Sequence, residues 1–404
     1  MYVSKDLSLK LKRIDNFEIR IFDNKKKENV EYILKNSKYD IYMVINEYDY
    51  FIWNCLDGTM TIQDIHYTFY ERFNRVSVSY VENIINNFCE KGLIENYECD
   101  PKKFLPKKKV LEIRFPIKHI ANFFEIVYYK VAHLFFNKIW MLIAILISVT
   151  GLLLYFYIKD KPPLVDKKLT SIVILYFAVM IPVFFHELSH ALFCYHYNRK
   201  VKEAGIMIYM FMPVLYVNTS DIWMADRKHR IIVSLVGPLC DFLTGSVCSI
   251  LFFFFYAQSY SIVFYQAAVT SYMRMVFNLN PLMKWDGYYC LMDLMGIYNL
   301  KERSSKFIFH DIVPKLKRGI KFTREEYYML IYGTLSLVYV MYFLGQLIIL
   351  DLQFFIKFDI SHLNQRAILN LLFLLPIIFM PIKRMAKIIR NRSNVDSKLN
   401  IKKT

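Results

Sequence analysis

His186-Glu187-Leu188-Ser189-His190 is the stretch of this 404-residue chain whose residue types and spacing could do chemistry. Two histidines four apart on a helix leave the same face one turn from each other. That spacing suits two nitrogen ligands on one Zn²⁺, with Glu187 beside them to take a proton from an attacking water. The stretch lies inside an apolar run from Ser171 to about Tyr195. Two imidazoles and a carboxylate are costly in lipid, so such residues in a spanning segment mark function by default.

Two histidines need a third protein ligand if one zinc position is to stay open. His196 fails on geometry. Six residues at about 100° each place it about 240° round a continuous helix from His190. A better candidate lies at the end of a later apolar run, in Asn278-Leu279-Asn280-Pro281-Leu282-Met283-Lys284-Trp285-Asp286-Gly287. If the two runs between them form a hairpin, Asp286 returns to the side that carries His186 and His190. A carboxylate at a broken helix end can reach inward as a ligand; the plainer reading of Asp286 is a loop cap.

The elements that must position these groups are long and apolar. The chain is 55% hydrophobic and 17% aromatic, and the run lengths predict six spans, at about 139–158, 171–195, 231–256, 262–279, 328–350 and 367–382. The last is short and requires some bilayer thinning. The polar N-terminus opens no apolar run, so no cleavable signal peptide is expected. Residues 1–100 hold 13 Lys and Arg against 17 Asp and Glu, net −4, so the chain's +17 puts +21 on the remainder. Basic charge thus belongs to the membrane part, and no nucleic-acid partner is expected. Lys107-Lys108-Lys109, Arg227-Lys228-His229-Arg230 and Lys383/Arg384 favour cytosolic placement of their segments and of both termini, whereas lysines at 159–168 oppose it. The seven cysteines contain no CxxC pair, which disfavours a disulfide framework or a Cys-zinc site.

Residues 1–100 read as a small cytosolic α+β domain. Strand-like stretches at Phe17–Phe22 and Asp40–Ile45 precede helices carrying Phe51/Ile52/Cys55, then Ile65/Phe69/Phe73 after a Thr61 cap, then Val81/Ile85/Phe88 up to Gly92. Helix–turn–helix with a short strand at Leu93-Ile94 is a winged-helix-like pattern; any three-helix domain is the alternative. Residues 101–135 read as a basic amphipathic connector on the inner membrane surface, 136–385 as the membrane domain and 386–404 as a basic cytosolic tail. Gly205–Asn218 is β-prone, broken by Pro213 and too short to span, so a re-entrant or interfacial β segment is expected. Asp241 and Arg274, ionisable groups within two spans, are expected to pair; snorkelling of Arg274 is the alternative.

HExxH on one span with Asn-x-x-Pro-x-x-x-x-Asp-Gly on a later one resembles the site-2-protease-type (M50) intramembrane metalloproteases. Pro213–Trp223, Gly237-Pro238 and Asp286-Gly287-Tyr288-Tyr289 through Leu300 look like its peptide zinc metalloprotease branch. The resemblance covers roughly 135–305. It implies Zn²⁺ held by His186, His190 and Asp286, Glu187 as general base, and substrate contacts at Asn278 and Pro281. It also implies that the 205–218 segment pairs with an unwound substrate. Three departures stand out: Asp241 where many members have Asn, Met283 in place of a second Pro, and no PDZ-like insertion. Residues 1–100 resemble the PqqD-like fold through Tyr48–Gly58, Ile62–Phe73 and Glu90–Ile94, which implies binding of a leader peptide. The expectation is a polytopic α-helical membrane zinc endopeptidase of the cell membrane that matures a ribosomally made, modified peptide. Two other readings stay open: regulated cleavage of a transmembrane signalling protein, and a non-catalytic peptide-binding, export or immunity component.

Overall fold

A computed structural model describes residues 7–22, 30–74, 78–96, 112–117, 119–160, 169–209, 212–258 and 260–356. The predicted sixth span at 367–382 and the tail at 386–404 lie outside the described residues.

The N-terminal unit opens with β1 (Lys10–Lys12), β2 (Phe17–Ile21), β3 (Glu31–Asn36) and β4 (Ile41–Asn46). It continues through α1 (Glu47–Cys55), β5 (Asp57–Thr61), α2 (Ile62–Phe73) and α3 (Val78–Glu90). Strands β2, β3 and β4 form an antiparallel sheet, and β1 pairs with β5. Asn46 and Thr61 each begin a helix with a reciprocal capping box, closed by Asp49 and Asp64; this satisfies backbone N–H groups that a helix start leaves free. The helices bury Ile52, Trp53, Ile65, Phe69, Ile85 and Phe88 in one core against Leu34 and Ile45 of the sheet. Three of these strands, β1, β3 and β5, go beyond the sequence reading. The strand expected at Leu93-Ile94 is a single bridge from Ile94 to Arg13.

The connector is not a plain surface segment. Its β6 (Glu112–Pro116) pairs antiparallel with β7 (Ala204–Tyr209), which pairs in turn with β8 (Met212–Val217). The expected β segment is therefore a hairpin in a three-stranded sheet whose outer strand comes from 90 residues earlier in the chain. Helix α4 (Ile120–Lys130) follows β6 and packs on the site-bearing helix, where Tyr195 donates to the Ala121 carbonyl at 2.8 Å.

Long helices make up the rest: α5 (Lys138–Ile158), α6 (Leu169–His196), α7 (Arg227–Phe254), α8 (Ser261–Leu279) and α12 (Arg324–Ile356), with short α9 (Asp286–Met295), α10 (Leu300–Lys306) and α11 (Ile312–Lys317) between the last two. Five long helices thus coincide with five predicted spans. Among the described residues, two of them, α5 and α7, are long and apolar enough to cross a membrane. On α5 the burial is inverted relative to a soluble helix. Ser148, Gly151 and Ile158 face inward, while Trp140, Leu142, Leu146, Leu153 and Phe156 are exposed. Small residues let helix backbones approach without a hydrophobic drive from water: a Cβ on Gly151 would collide with Ser246 of α7. Helix α7 is the central post, packed by α5, α6, α8 and α9.

Candidate metal centre

Three elements converge on one point. Helix α6 presents His186 and His190 from successive turns, both nearly buried. Asp286 is the first residue of α9. It is aimed by a compact turn in which Leu282 N–H donates to the Asn280 side chain at 2.9 Å and Trp285 N–H to the Met283 carbonyl at 2.8 Å. Gly287 is required there, because a Cβ would run into the Leu279 and Asn278 carbonyls. The facing nitrogens, His186 Nε2 and His190 Nε2, stand 3.2 Å apart. Asp286 Oδ2 is 3.3 Å from the first and 3.6 Å from the second. Three donors at about 2.0–2.2 Å from a tetrahedral zinc stand about 3.3–3.6 Å from one another. An N₂O donor set at this spacing fits Zn²⁺, and among the described residues these three form a group compact enough to hold a metal ion.

Both ring tautomers are set from α7. His190 Nδ1–H donates to the Val233 carbonyl at 2.7 Å, and His186 Nδ1–H to Asp241 Oδ2 at 2.8 Å. That leaves both Nε2 lone pairs free for a metal. Gly237 lies between these partners, and the two rings rest against its bare Cα.

Glu187 leaves α6 towards the hairpin sheet. Its Oε2 accepts from the backbone N–H of Val217 on β8 at 3.1 Å. The groups meet in a cavity of about 530 Å³ lined by His186, Glu187, His190, Asp286, Asn278 and Trp223, among others. Asn278 sits on this wall and reaches Asp241 Oδ2 with its amide at 3.4 Å. Pro281 is not part of the lining; its carbonyl accepts from Tyr332 Oη at 3.2 Å. His196 points elsewhere: its Nδ1 is 3.0 Å from Tyr128 Oη and its ring stacks on Phe136. Arg274 Nη2 and Asp241 Oδ1 lie 3.6 Å apart, an ion pair at the expected place. The contact of Asp241 with His186 was not read from the sequence. No local signal links residues 55 apart, although an acid within an apolar run already called for a partner.

The cavity wall is also where the N-terminal unit docks. Asp221, in the 3-10 turn Ser220–Met224, accepts from Lys35 Nζ at 2.8 Å, Tyr42 Oη at 3.1 Å and Lys200 N–H at 3.2 Å. Burial alone would raise the Asp221 carboxyl, but these hydrogen bonds and the Lys35 charge hold it below the usual carboxylate range. Burial and the Asp221 charge push the Tyr42 hydroxyl up, so it stays a donor. Phe22 stacks on Trp223 and packs under the Arg230 guanidinium, which is itself paired with Asp293 at 2.7 Å. One wall of the cavity, Trp223 and Arg230, is thus braced by the N-terminal unit.

The sequence profile of peptidase family M50 matches residues 174–380, just over half of the chain. The chain belongs to peptidase family M50. The match takes in α6, the β7–β8 hairpin, α7, α8 and the turn to Asp286, so it includes all three donors and Glu187. A Bacillus subtilis (strain 168) protein, YydH, provisionally named a peptide zinc metalloprotease, is 24% identical over 132 residues. That match covers 32% of this chain and 50% of YydH, so the chain spans about half the length of this relative. No solved structure matches. M50 membership implies zinc, and the donor spacing above accommodates it.

Proposed function

We propose that this M50 chain is a membrane-embedded zinc endopeptidase that processes a ribosomally made, modified peptide during its maturation or export. The observation that carries the peptidase reading is the mutual 3.2–3.6 Å spacing of His186, His190 and Asp286 with Glu187 beside them. Zinc, when bound, supplies a Lewis acid and makes a water acidic near neutral pH. Glu187 takes the water's proton on a carboxylate oxygen and passes it to the leaving amine. Asn278, on the cavity wall with Pro281 shaping the turn behind it, is the group placed to meet the substrate.

A helical peptide bond is shielded by its neighbours, so the substrate must be held extended. Strand β8 ends beside Glu187, and its outer edge offers backbone groups to which an extended peptide could add. The modified-peptide substrate rests on the resemblance of residues 1–100 to the PqqD-like fold, which would make the N-terminal unit a leader-binding domain, and on its seat against the cavity wall. The reading places the protein in the cell membrane as a multi-pass chain with both termini cytosolic; the outward-facing apolar surface of α5 supports it.

The test is Glu187→Gln in full-length protein reconstituted into vesicles with a candidate precursor peptide. Loss of cleavage by at least about 10²-fold with zinc retained is the expected result, the usual scale for removing a general base. Undiminished cleavage by the zinc-bound variant would sink the peptidase reading. Deleting residues 1–96 should abolish processing that depends on the leader. If processing is unchanged, the substrate assignment fails and the peptidase reading stands.

A further inference from the structure

We propose that Asp241 is the positioning residue of the metal centre, holding His186 in the one tautomer and ring plane that can ligate, with Arg274 as its counter-charge. The inference rests on the zinc reading above and adds a role that neither family membership nor the ligand set supplies.

A neutral imidazole carries one N–H. If that proton sat on His186 Nε2, the nitrogen that faces Asp286 and His190 would have no lone pair to give. Asp241 Oδ2, an acceptor 2.8 Å from Nδ1, puts the proton on the far nitrogen and fixes the ring about it. The same helix treats the second ligand differently: His190 Nδ1–H is held by a backbone carbonyl, that of Val233. Val233, Gly237 and Asp241 are spaced by four, on one face of α7, so the face reads carbonyl, bare Cα, carboxylate. Only the last of these can be removed by changing a side chain.

Asp241 is fully buried. A carboxylate so placed requires compensation, and it receives three contributions: His186 Nδ1–H, the Asn278 amide at 3.4 Å and Arg274 Nη2 at 3.6 Å. Arg274 sits on α8 and touches no ligand in the centre, so its place opposite Asp241 is the reason an arginine occurs inside this helix. The pair is therefore a unit: an asparagine at 241 would still accept from His186 but would leave Arg274 without its partner.

Two double variants isolate the hydrogen bond, because both remove the two charges and they differ only in the acceptor: Asp241→Asn/Arg274→Gln and Asp241→Leu/Arg274→Gln. Zinc affinity is measured on full-length protein in detergent by competition with a chromophoric chelator. The visible spectrum of Co²⁺-substituted protein reports ligand geometry. The Asn variant should bind zinc within about threefold of wild type and keep its Co²⁺ spectrum. The Leu variant should bind about 10–100-fold more weakly, the scale for losing an outer partner of a metal-bound histidine. Equal affinities and equal spectra for the two would overturn the proposal. If the Leu variant does not fold, Asp241→Asn/Arg274→Gln against wild type decides: a loss beyond about tenfold overturns it. Wild type that takes up no zinc, or His186→Ala that binds as tightly as wild type, fails the zinc reading itself and is thereby told apart.

Discussion

Replacing Gly237 with alanine should separate the metal centre from the fold. A Cβ at this position would lie 2.6 Å from His186 Cε1 and 2.7 Å from His186 Nε2, and closer still to His190 Nε2. Ordinary carbon contacts begin near 3.5 Å, so the rings must retreat by about 1 Å. Metal–ligand distances tolerate about 0.2 Å. Both rings are also tethered behind, to Asp241 and to Val233, so retreat breaks one of those bonds or tilts the Nε2 atoms off the metal. Zinc affinity should fall by at least about 10²-fold, the combined scale of disturbing both outer partners. Stability should move much less. Overpacking costs about 1–3 kcal/mol, while alanine in place of glycine inside α7 returns about 1 kcal/mol of helix propensity. The assay pairs chelator competition with thermal unfolding of the metal-free protein in detergent. A Gly237→Ala protein that holds zinc as tightly as wild type would refute the packing of the two rings against α7.

Lys35→Met should loosen the seat of the N-terminal unit. Lys35 and Asp221 are both nearly buried, and stranding one partner of a buried pair costs about 3–5 kcal/mol. Asp221 keeps Tyr42 and the Lys200 N–H, so about 2–3 kcal/mol is expected, read as faster amide exchange at 220–224; unchanged exchange contradicts the interface. The same pair predicts a pH dependence. Asp221 has a depressed folded-state pKa, so its contribution is present above the unfolded value of about 3.9 and is lost as pH falls through the folded value. The thermal-midpoint gap between wild type and Asp221→Asn should hold from about pH 7 to about pH 5 and close below about pH 4. A gap that widens on acidification would have the wrong sign.

The chemistry was legible in the sequence wherever spacing along one element determines geometry. His186 and His190 share a face because 3.6 residues make a turn, and the same arithmetic removed His196, which the structure gives to Tyr128 and Phe136. Asp286 was legible through a broken helix end and the hairpin that returns it to the site. The Asp241–Arg274 pair followed from the cost of charge in apolar runs. What stayed hidden depends on distant pairing. Glu112–Pro116 looked like a basic connector because an edge strand of five residues has no periodicity long enough to declare itself; its partner β7 decides it. Strand β3 carries two charged residues, Glu31 and Lys35, which mask it in the sequence; the Lys35 ammonium is met by Glu18 on β2 and by Asp221, 186 residues on. Asp241 as the outer partner of His186 required the packing of α6 on α7, which Gly237 permits and no local pattern announces.

Whether His186, His190 and Asp286 hold a zinc ion beside Glu187 is read from the zinc K-edge absorption spectrum of the purified full-length protein. One zinc per chain is expected, in a shell of nitrogen and oxygen alone, at about 2.0–2.2 Å, with two imidazoles. The signal should be lost in His190→Ala and kept in Glu187→Gln. A sulfur shell near 2.3 Å, or zinc retained undisturbed in His190→Ala, would contradict this ligand set.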